Sequence, residues 1–202
     1  MVNEEQTTEQ LILSAAKKIF STQGKDGSSM QEIADEAGIN KALLHYYFRS
    51  KDLLFEKVFF DELQKFSPIL KTAIASEAPL FEKIEKLCET YIRMAIDNPY
   101  LPVFVISEIN KQPVVFIHRM FENDLPDFQK FSMQINREVE LGNIKPILPP
   151  HLIMNILSMC VFPFLMKPMF VHGMKIDKDL YDELMQQRIK EVPAFIIQSI
   201  KK

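Results

Sequence analysis

Apolar residues recur with a helical period along most of this chain. Near the start, a single stripe at helical spacing is formed by Ile12, Ala15, Ala16, Ile19 and Phe20. Strand-like alternation is scarce, and the sequence contains only 5 glycines. With 47% hydrophobic and 25% charged residues, the composition is that of a globular protein. The pattern therefore predicts an all-α fold.

The first fifty residues predict two helices before a tight turn. The first begins at Thr8 as N-cap and ends near Thr22, with Gly24 after it. A capping box of Ser29 and Glu32 then opens a second, short helix, because a hydroxyl and a carboxylate three residues apart satisfy each other's helix-end amides.

A third helix follows directly after Gly38, with Asn40 as its N-cap. Helical spacing places Leu44, Tyr47 and Phe48 toward the core. The opposite face is then small, basic and aromatic, and consists of Lys41, Ala42, His45 and Tyr46. Two helices joined by a glycine turn, the second with such a face, are typical of a helix-turn-helix, whose second helix enters the major groove.

The run from Thr8 to Phe55 also resembles the tetracycline-repressor (TetR) family. The resemblance is carried by Ile12-Leu13-Ser14-Ala15-Ala16, Ile19-Phe20, Gly24, Ser29-Met30-Gln31-Glu32-Ile33-Ala34, Ala37-Gly38-Ile39-Asn40-Lys41, Tyr46-Tyr47-Phe48 and Lys51-Asp52-Leu53-Leu54-Phe55. It implies a three-helix DNA-binding head at residues 1–49. It also implies a larger helical body at residues 50–202 that binds an effector and dimerises, and a repressor that a small molecule releases from a double-stranded DNA operator.

The resemblance also assigns roles to residues of the head. Phosphate contacts are expected from Ser29, Asn40, Lys41, Tyr47 and Lys51. Contacts with bases or groove walls are expected from Ala42, Leu43, His45 and Tyr46. His45 stands where the family usually has Tyr, and Leu43 stands where it usually has a small polar residue. These two positions therefore predict a base preference of this chain's own.

The net charge of the whole chain, −3, does not by itself indicate a nucleic-acid partner. The distribution is more informative. Residues 38–51 contain no acidic side chain, but they include Lys41, His45, Arg49 and Lys51. The sequence thus predicts a local basic face on an acidic protein.

Prolines delimit the predicted helices of the body. A fourth helix, capped by Ser50, is expected from Lys51 to about Phe66, with Pro68 ending it. This helix is expected to transmit effector binding in the body to the DNA-binding head. Further helices are predicted from Pro79 to Asn98, Pro102–Asn110, Pro113–Glu122, Pro126–Leu141, Pro150–Val171 and Asp177–Ser199.

The resemblance puts a homodimer interface on the last two of these helices. Both are rich in apolar residues, among them Leu152, Ile156, Leu180 and Phe195. Pro163 and Pro168 are expected to kink the first of the pair. A symmetric dimer would require a palindromic operator.

An effector pocket is expected inside the body. Its candidate lining is rich in Phe and Met and comprises Phe81, Tyr91, Met94, Phe104, Phe116, Met120, Phe128, Met159 and Phe162. Glu108 and Asn155 are candidates for orienting a polar group. The hypothesis is a largely hydrophobic ligand, acyl-chain-like, aromatic, or cationic if Glu108 faces inward.

The sequence gives no support to an enzyme, a metal site or a cofactor. Its four histidines lack partners at catalytic or metal-ligand spacing, and no glycine-rich phosphate loop is present. Three alternatives stay open at this point: a ligand-binding helical protein with a vestigial DNA head, an activator, and a thiol-redox-sensing regulator. Cys88 and Cys160 are expected to be free buried thiols.

The cellular location is inferred from two segments. The acidic N-terminus lacks an apolar signal core, so a cytoplasmic protein is expected. The longest apolar run, residues 148–166, is interrupted by Pro149, Pro150, Asn155 and Pro163. It is therefore interpreted as a buried helix and not as a membrane span.

Overall fold

The computed structural model describes residues 7–202 and builds them from helices, with one isolated antiparallel bridge between Ile144 and Lys201. This confirms the all-α prediction. The α-helices are α1 Thr8–Gln23, α2 Met30–Glu36, α3 Lys41–Tyr47, α4 Lys51–Ala75, α5 Leu80–Asp97, α6 Leu101–Lys111, α7 Pro113–Met120, α8 Phe128–Glu140, α9 Pro149–Leu165 and α10 Lys178–Ile200. A π-helix, Met169–Gly173, lies between α9 and α10. None of the helices in the described part is long and apolar enough to cross a bilayer.

The chain divides into two compact units, the first ending at Gln64 and the second running Lys65–Lys202. The division falls inside α4. The first unit includes the start of α4 because Phe20 of α1 packs edge-on against Phe55, with ring centroids 5.0 Å apart, and lies 6.5 Å from Phe59. The functional boundary between residues 49 and 50 stays a prediction.

The first helix begins one residue earlier than its sequence signal indicated. Its N-cap is Thr7 and not Thr8. The Thr7 hydroxyl accepts the Gln10 amide at 3.3 Å, and the Gln10 side chain accepts the Thr7 amide at 2.9 Å. This reciprocal pair satisfies two helix-end amides.

Helix α4 continues through Pro68 to Ala75, so the predicted end at Pro68 is wrong. An interior proline costs a helix about 3 kcal/mol. Leu70 and Ile74, which lie beyond it, are almost completely buried. Burying each such side chain gains about 1.5–3 kcal/mol, so their packing offsets the defect. Pro68 itself is exposed.

Helix α9 is shorter than predicted, because it ends at Leu165, between the two prolines of this region. Pro163 has no amide hydrogen to give the carbonyl of Met159 four residues earlier. Arg188 of α10 donates to that carbonyl instead, at 2.5 Å. The Tyr181 hydroxyl, also on α10, donates to the Pro163 carbonyl at 3.1 Å. Side chains of α10 therefore satisfy the backbone around Pro163.

Helix α5 is central to the second unit and packs against α8, α9 and α10. It also carries a buried cation, Lys83, which is 2% exposed. The Lys83 ammonium donates to the Ile74 carbonyl in the last turn of α4 at 3.0 Å and lies 5.4 Å from the Phe131 ring centroid. Burial, reinforced by the charge of Lys130, holds the pKa of Lys83 below its usual value. Lys83 thus caps α4, where a positive charge complements the helix dipole.

Candidate functional site

The turn between α2 and α3 is built by local hydrogen bonds. The Ile39 amide donates to the Ala34 carbonyl at 3.0 Å, which closes the end of α2. Gly38 has φ of +68°, in the left-handed region that glycine adopts without strain. Ser29 and Glu32 form the predicted capping box, and Asn40 is the N-cap of α3. The sequence predictions for this turn are confirmed.

Helix α3 separates a buried face from an exposed one. Leu44 is fully buried and Phe48 nearly so. Lys41, Ala42, His45 and Tyr46 are exposed, as expected, and Leu43 is half-buried.

Tyr47, which helical spacing placed inward beside Leu44 and Phe48, is 41% exposed, so that prediction is wrong. Tyr47 is the last residue of α3, and the backbone of Phe48 is already extended. Of these two aromatic residues, only Phe48 therefore turns toward the core. The Tyr47 ring meets that of Tyr46 edge to face, with centroids 5.6 Å apart. Both phenols therefore lie on the exposed side of α3.

Two predicted phosphate ligands also serve as helix caps. The Asn40 side-chain oxygen accepts the Leu43 amide at 2.8 Å, which leaves its NH₂ group as the donor available to a phosphate. The Ser29 hydroxyl donates to the Glu32 carboxylate at 2.7 Å. A phosphate would have to compete with that carboxylate for the Ser29 hydroxyl, whereas Asn40 has a donor to spare.

Most lysines of the first unit are neutralised by ion pairs and are therefore weaker candidates for phosphate contacts. The pairs are Lys17 with Glu62, Lys18 with Glu36, Lys25 with Asp52 and Lys57 with Asp61. Lys41 and Arg49 are exposed and have no ion pair with any residue from Thr7 onward. Arg49 is part of the predicted basic face but was not predicted to contact phosphate. The structure adds it to the candidates because its charge is not neutralised.

Lys51, a predicted phosphate contact, also makes a contact within the protein. It is half-buried, and its ammonium donates to the Ser28 carbonyl at 2.7 Å, which ties the loop before α2 to the start of α4. The contact uses one of its three N–H donors. Lys51 therefore positions the loop that carries Ser29.

A small cavity of about 20 Å³, partly open to solvent, lies in the second unit. That is room for about one water molecule. Its lining comes from α4, α5, α8 and α9 and consists of Leu70, Ile74, Leu87, Tyr91, Phe128, Phe131, Ile153, Ile156 and Leu157. Burial raises the pKa of the Tyr91 phenol well above its usual value, so this hydroxyl stays protonated. The cavity is apolar with one phenol.

Of the predicted effector residues, only Tyr91 and Phe128 line this cavity. Phe104 and Phe116 pack edge to face between α6 and α7, and Met120 is buried. Phe81, Met94 and Met159 are half-buried, whereas Asn155 and Phe162 are exposed. Glu108 pairs with Lys111 at 2.7 Å. Tyr91 and Phe128 are therefore the predicted effector residues that this cavity brings together, and the full set stays a prediction.

A larger groove of about 750 Å³ is open to solvent between the end of α4 and α5. Its walls combine apolar Ile69 and Ala73 with charged Glu82 and Lys86. None of the predicted effector residues lines it. Within residues 7–202, no cluster of three or more His, Cys, Asp or Glu side chains could hold a metal ion.

Comparison with known proteins identifies similar chains. The sequence profile described as "Bacterial regulatory proteins, tetR family" matches residues 12–58. The HTH-type transcriptional regulator RutR of Escherichia coli (strain K12) is 30% identical over 142 residues, which is 70% of this chain and 66% of RutR, just under two thirds. The probable HTH-type transcriptional regulator YttP of Bacillus subtilis (strain 168) is 24% identical over 82% of this chain and 80% of YttP.

Solved structures share the fold. The ketosteroid transcriptional regulator KstR2 of Mycobacterium tuberculosis superimposes with a TM-score of 0.66 at 16% sequence identity, covering 100% of this chain and 97% of KstR2. At that identity the likeness concerns architecture. The match spans both compact units, so the whole chain, and not only its first unit, shares this fold.

Proposed function

This chain belongs to the tetR family of bacterial regulatory proteins, and from that premise we propose that it is a repressor released from a palindromic operator by a small, largely hydrophobic effector. The observation that carries the proposal is the exposed face of α3. Lys41, His45, Tyr46 and Tyr47 project there from a helix whose position is fixed by two caps and the Gly38 turn.

The roles on this face follow from side-chain chemistry. Lys41 and Arg49, free of ion pairs in the described structure, supply positive charge to phosphates. The Asn40 NH₂ group and the Tyr47 hydroxyl add neutral donors. His45 and Tyr46 are exposed where base edges would lie, and Leu43 can pack against a thymine methyl group. Base discrimination is therefore assigned to Leu43, His45 and Tyr46.

The test compares two lysines of the first unit. Duplexes bound by the wild-type protein are first selected from random-sequence DNA, and the affinity of Lys41→Ala for the best duplex is then measured as a function of salt. Loss of one phosphate contact lowers the slope of log K against log[salt] by about 1 and weakens binding to all duplexes alike.

Lys57→Ala is the matched control, because Lys57 is exposed but lies on α4 and is paired with Asp61. Its salt slope should equal that of the wild type. Equal slopes for both variants and the wild type would remove Lys41 from the interface. Failure to select any duplex would favour the alternative of a ligand-binding protein with a vestigial head.

A homodimer is supported by apolar side chains that the single chain leaves uncovered. Many apolar residues of α9 and α10, including Leu152, Ile156, Val192 and Ile196, are buried within the protomer. Others point outward, namely Met154, Leu157, Phe162, Leu180 and Phe195. A second copy related by twofold symmetry would cover this exposed set and space two operator half-sites by roughly 34 Å or a multiple of it.

Sedimentation of two variants, each of which introduces one negative charge, tests the dimer. Phe195→Glu should produce monomers, because Phe195 is 65% exposed on α10 and a carboxylate there would be buried in the interface. Val114→Glu is the control, since Val114 is 67% exposed on α7. If Phe195→Glu sediments as the wild type does, the dimer does not use this face.

The hydrophobic effector is supported by the lining of the 20 Å³ cavity. Eight of its nine side chains are apolar, and Tyr91 offers one hydroxyl. Since the cavity has a volume of only about 20 Å³, an organic ligand must displace side chains to enter. Ligands of this class should raise the melting temperature of the protein and lower its affinity for DNA. A panel in which only polar anions stabilise the protein would contradict the proposal.

A further inference from the structure

The groove of about 750 Å³ between the end of α4 and α5 has one apolar wall. This wall comes from Ile69, Thr72, Ala73 and Ser76, which are three or four residues apart and therefore share one helical face. Ile69 is 50% exposed, so half of its side chain meets solvent. The Thr72 and Ser76 hydroxyls donate to carbonyls of α4 itself, each at 2.9 Å. The wall therefore offers a ligand mainly hydrocarbon surface.

The facing wall, on α5, carries charge. Glu82, Glu85 and Glu89 follow one face of that helix and line the groove. Glu89 is paired with Lys86 at 3.3 Å and with Arg93 at 2.9 Å. Glu82 and Glu85 are exposed, and neither forms an ion pair within residues 7–202. The carboxylates left without a cation are thus those at the start of α5.

The remaining lysine of the lining does not neutralise this charge. Lys83 is 2% exposed, and its ammonium donates to the Ile74 carbonyl at 3.0 Å. The ammonium is therefore held inside the protein, where a ligand in the groove has almost no access to it. Positive charge beside Glu82 and Glu85 has to come from a bound molecule.

The dimensions of the groove suit a small molecule better than a helical peptide. Each wall spans seven residues, from position 69 to 76 and from 82 to 89, which is about 10 Å of helix at 1.5 Å per residue. A docked helix is itself about 10 Å wide, so only about two turns of it would touch the walls. Sites for small molecules have volumes of about 300–1,000 Å³, a range that includes this groove.

We propose that this groove binds amphiphilic organic cations, with the hydrocarbon part against Ile69 and Ala73 and the ammonium beside Glu82 and Glu85. The ligand class follows from complementarity, because an apolar surface and two unpaired carboxylates face each other across the groove. An anion of the same shape would be repelled by those carboxylates, and a neutral molecule would gain only from the apolar wall.

This site is separate from the 20 Å³ cavity, although both use α4 and α5. The cavity is lined by Leu70, Ile74 and Leu87, on other faces of the two helices, and the two linings share no residue. The groove can hold an organic molecule without displacing side chains, whereas the cavity cannot. The proposal therefore does not rest on the proposed effector or on DNA binding.

The experiment compares three probes that share one hydrocarbon chain: octyltrimethylammonium, 1-octanol and octyl sulfate. Calorimetric titration of the full chain, below micelle-forming concentrations, should give the tightest binding for the cation and the weakest for the anion. The double variant Glu82→Gln/Glu85→Gln should weaken binding of the cation by about three- to twentyfold, as expected for two exposed charge pairs, and leave binding of 1-octanol unchanged. Ile69→Ala should weaken binding of both.

The double variant Glu9→Gln/Glu140→Gln is the matched control, because it removes the same charge from two exposed glutamates outside the groove. It should bind octyltrimethylammonium as the wild type does. The four substituted glutamates are exposed, so both variants should fold, which thermal unfolding checks.

Three results would overturn the proposal. The first is that no probe binds, and the second is that octyl sulfate binds as tightly as the cation. The third is that Glu82→Gln/Glu85→Gln binds octyltrimethylammonium as tightly as the wild type or the control variant. Binding that is insensitive to Glu82 and Glu85 would place the ligand outside the groove, and the proposed effector cavity would be unaffected by that result.

Discussion

The two compact units place their candidate functional residues in opposite ways. In the first unit most of these residues are exposed, and local caps and one glycine turn fix them without taking them into the core. In the second unit the side chains that line the cavity, such as Phe131 and Ile156, are also the side chains that hold the core together. Under the proposed function, changes in DNA recognition should therefore be separable from changes in stability, whereas changes in effector binding should not.

The largest expected effect tests whether the cavity-lining side chains of the second unit also stabilise its core. Phe131 is 2% exposed and lines the cavity, so Phe131→Ala should lower the free energy of unfolding by about 3–5 kcal/mol. The enlarged cavity should also bind a small apolar molecule such as benzene, which restores part of the stability. Urea unfolding with and without benzene measures both effects.

Phe128→Ala is the control, since Phe128 lines the same cavity but is 42% exposed. It should cost clearly less than Phe131→Ala. Equal losses of unfolding free energy for the two variants, or no stabilisation of Phe131→Ala by benzene, would contradict the idea that the same side chains line the cavity and hold the core together. The contrast between the two units would then fail.

A second prediction concerns the pH dependence of the second unit. Burial, with the negative charge of Asp182 adding to it, raises the pKa of Tyr181 to about 12. A phenol with a raised pKa in the folded state stabilises the fold fully below its unfolded pKa of about 10, and this contribution is lost as the pH rises toward 12. Over that range the wild-type protein should lose about 1–3 kcal/mol more than Tyr181→Phe. Urea unfolding of both proteins at several pH values measures the difference, and parallel curves would contradict it.

What could be predicted from the sequence follows the same division. The caps at Ser29 and Asn40 and the turn at Gly38 depend on groups within five residues of each other, so the sequence was sufficient to predict them. The exposure of Tyr47 was missed because a helical period assumes that α3 continues, and α3 ends there.

The second unit was predictable only as a set of helices. Residues that line its cavity come from four helices and resemble ordinary core residues in the sequence, since nothing local distinguishes Leu87 or Phe131 from their buried neighbours. Long-range packing also explains the continuation of α4 past Pro68, where buried side chains override a local helix-breaking signal.

The third prediction compares two glycines of the first unit. At Gly27 an added Cβ would lie 2.5 Å from the Gln23 carbonyl oxygen, so backbone must move, and Gly27→Ala should cost about 1–3 kcal/mol. At Gly38 an added Cβ meets nothing within 4 Å, and only the positive φ opposes it. Gly38→Ala should therefore cost about 1 kcal/mol, and Gly38→Asn less, because Asn tolerates this backbone conformation. Thermal unfolding ranks the three variants, and a larger loss at Gly38 than at Gly27 would contradict the argument.

The smallest expected effect tests whether recognition in the first unit is separable from stability. Tyr47→Phe removes one hydroxyl from an exposed ring, so the free energy of unfolding should change by less than about 0.5 kcal/mol. If that hydroxyl donates to a phosphate, affinity for a selected duplex should fall by about 1 kcal/mol, or roughly fivefold.

Tyr46→Phe is the control, because it removes the matching hydroxyl from the neighbouring ring, which is assigned to bases or groove walls. The effect of Tyr46→Phe on affinity should depend on the duplex sequence, whereas the effect of Tyr47→Phe should not. Duplex titrations of both variants against several selected sequences measure this difference. A sequence-dependent loss for Tyr47→Phe would move Tyr47 from the phosphate contacts to the base-reading set.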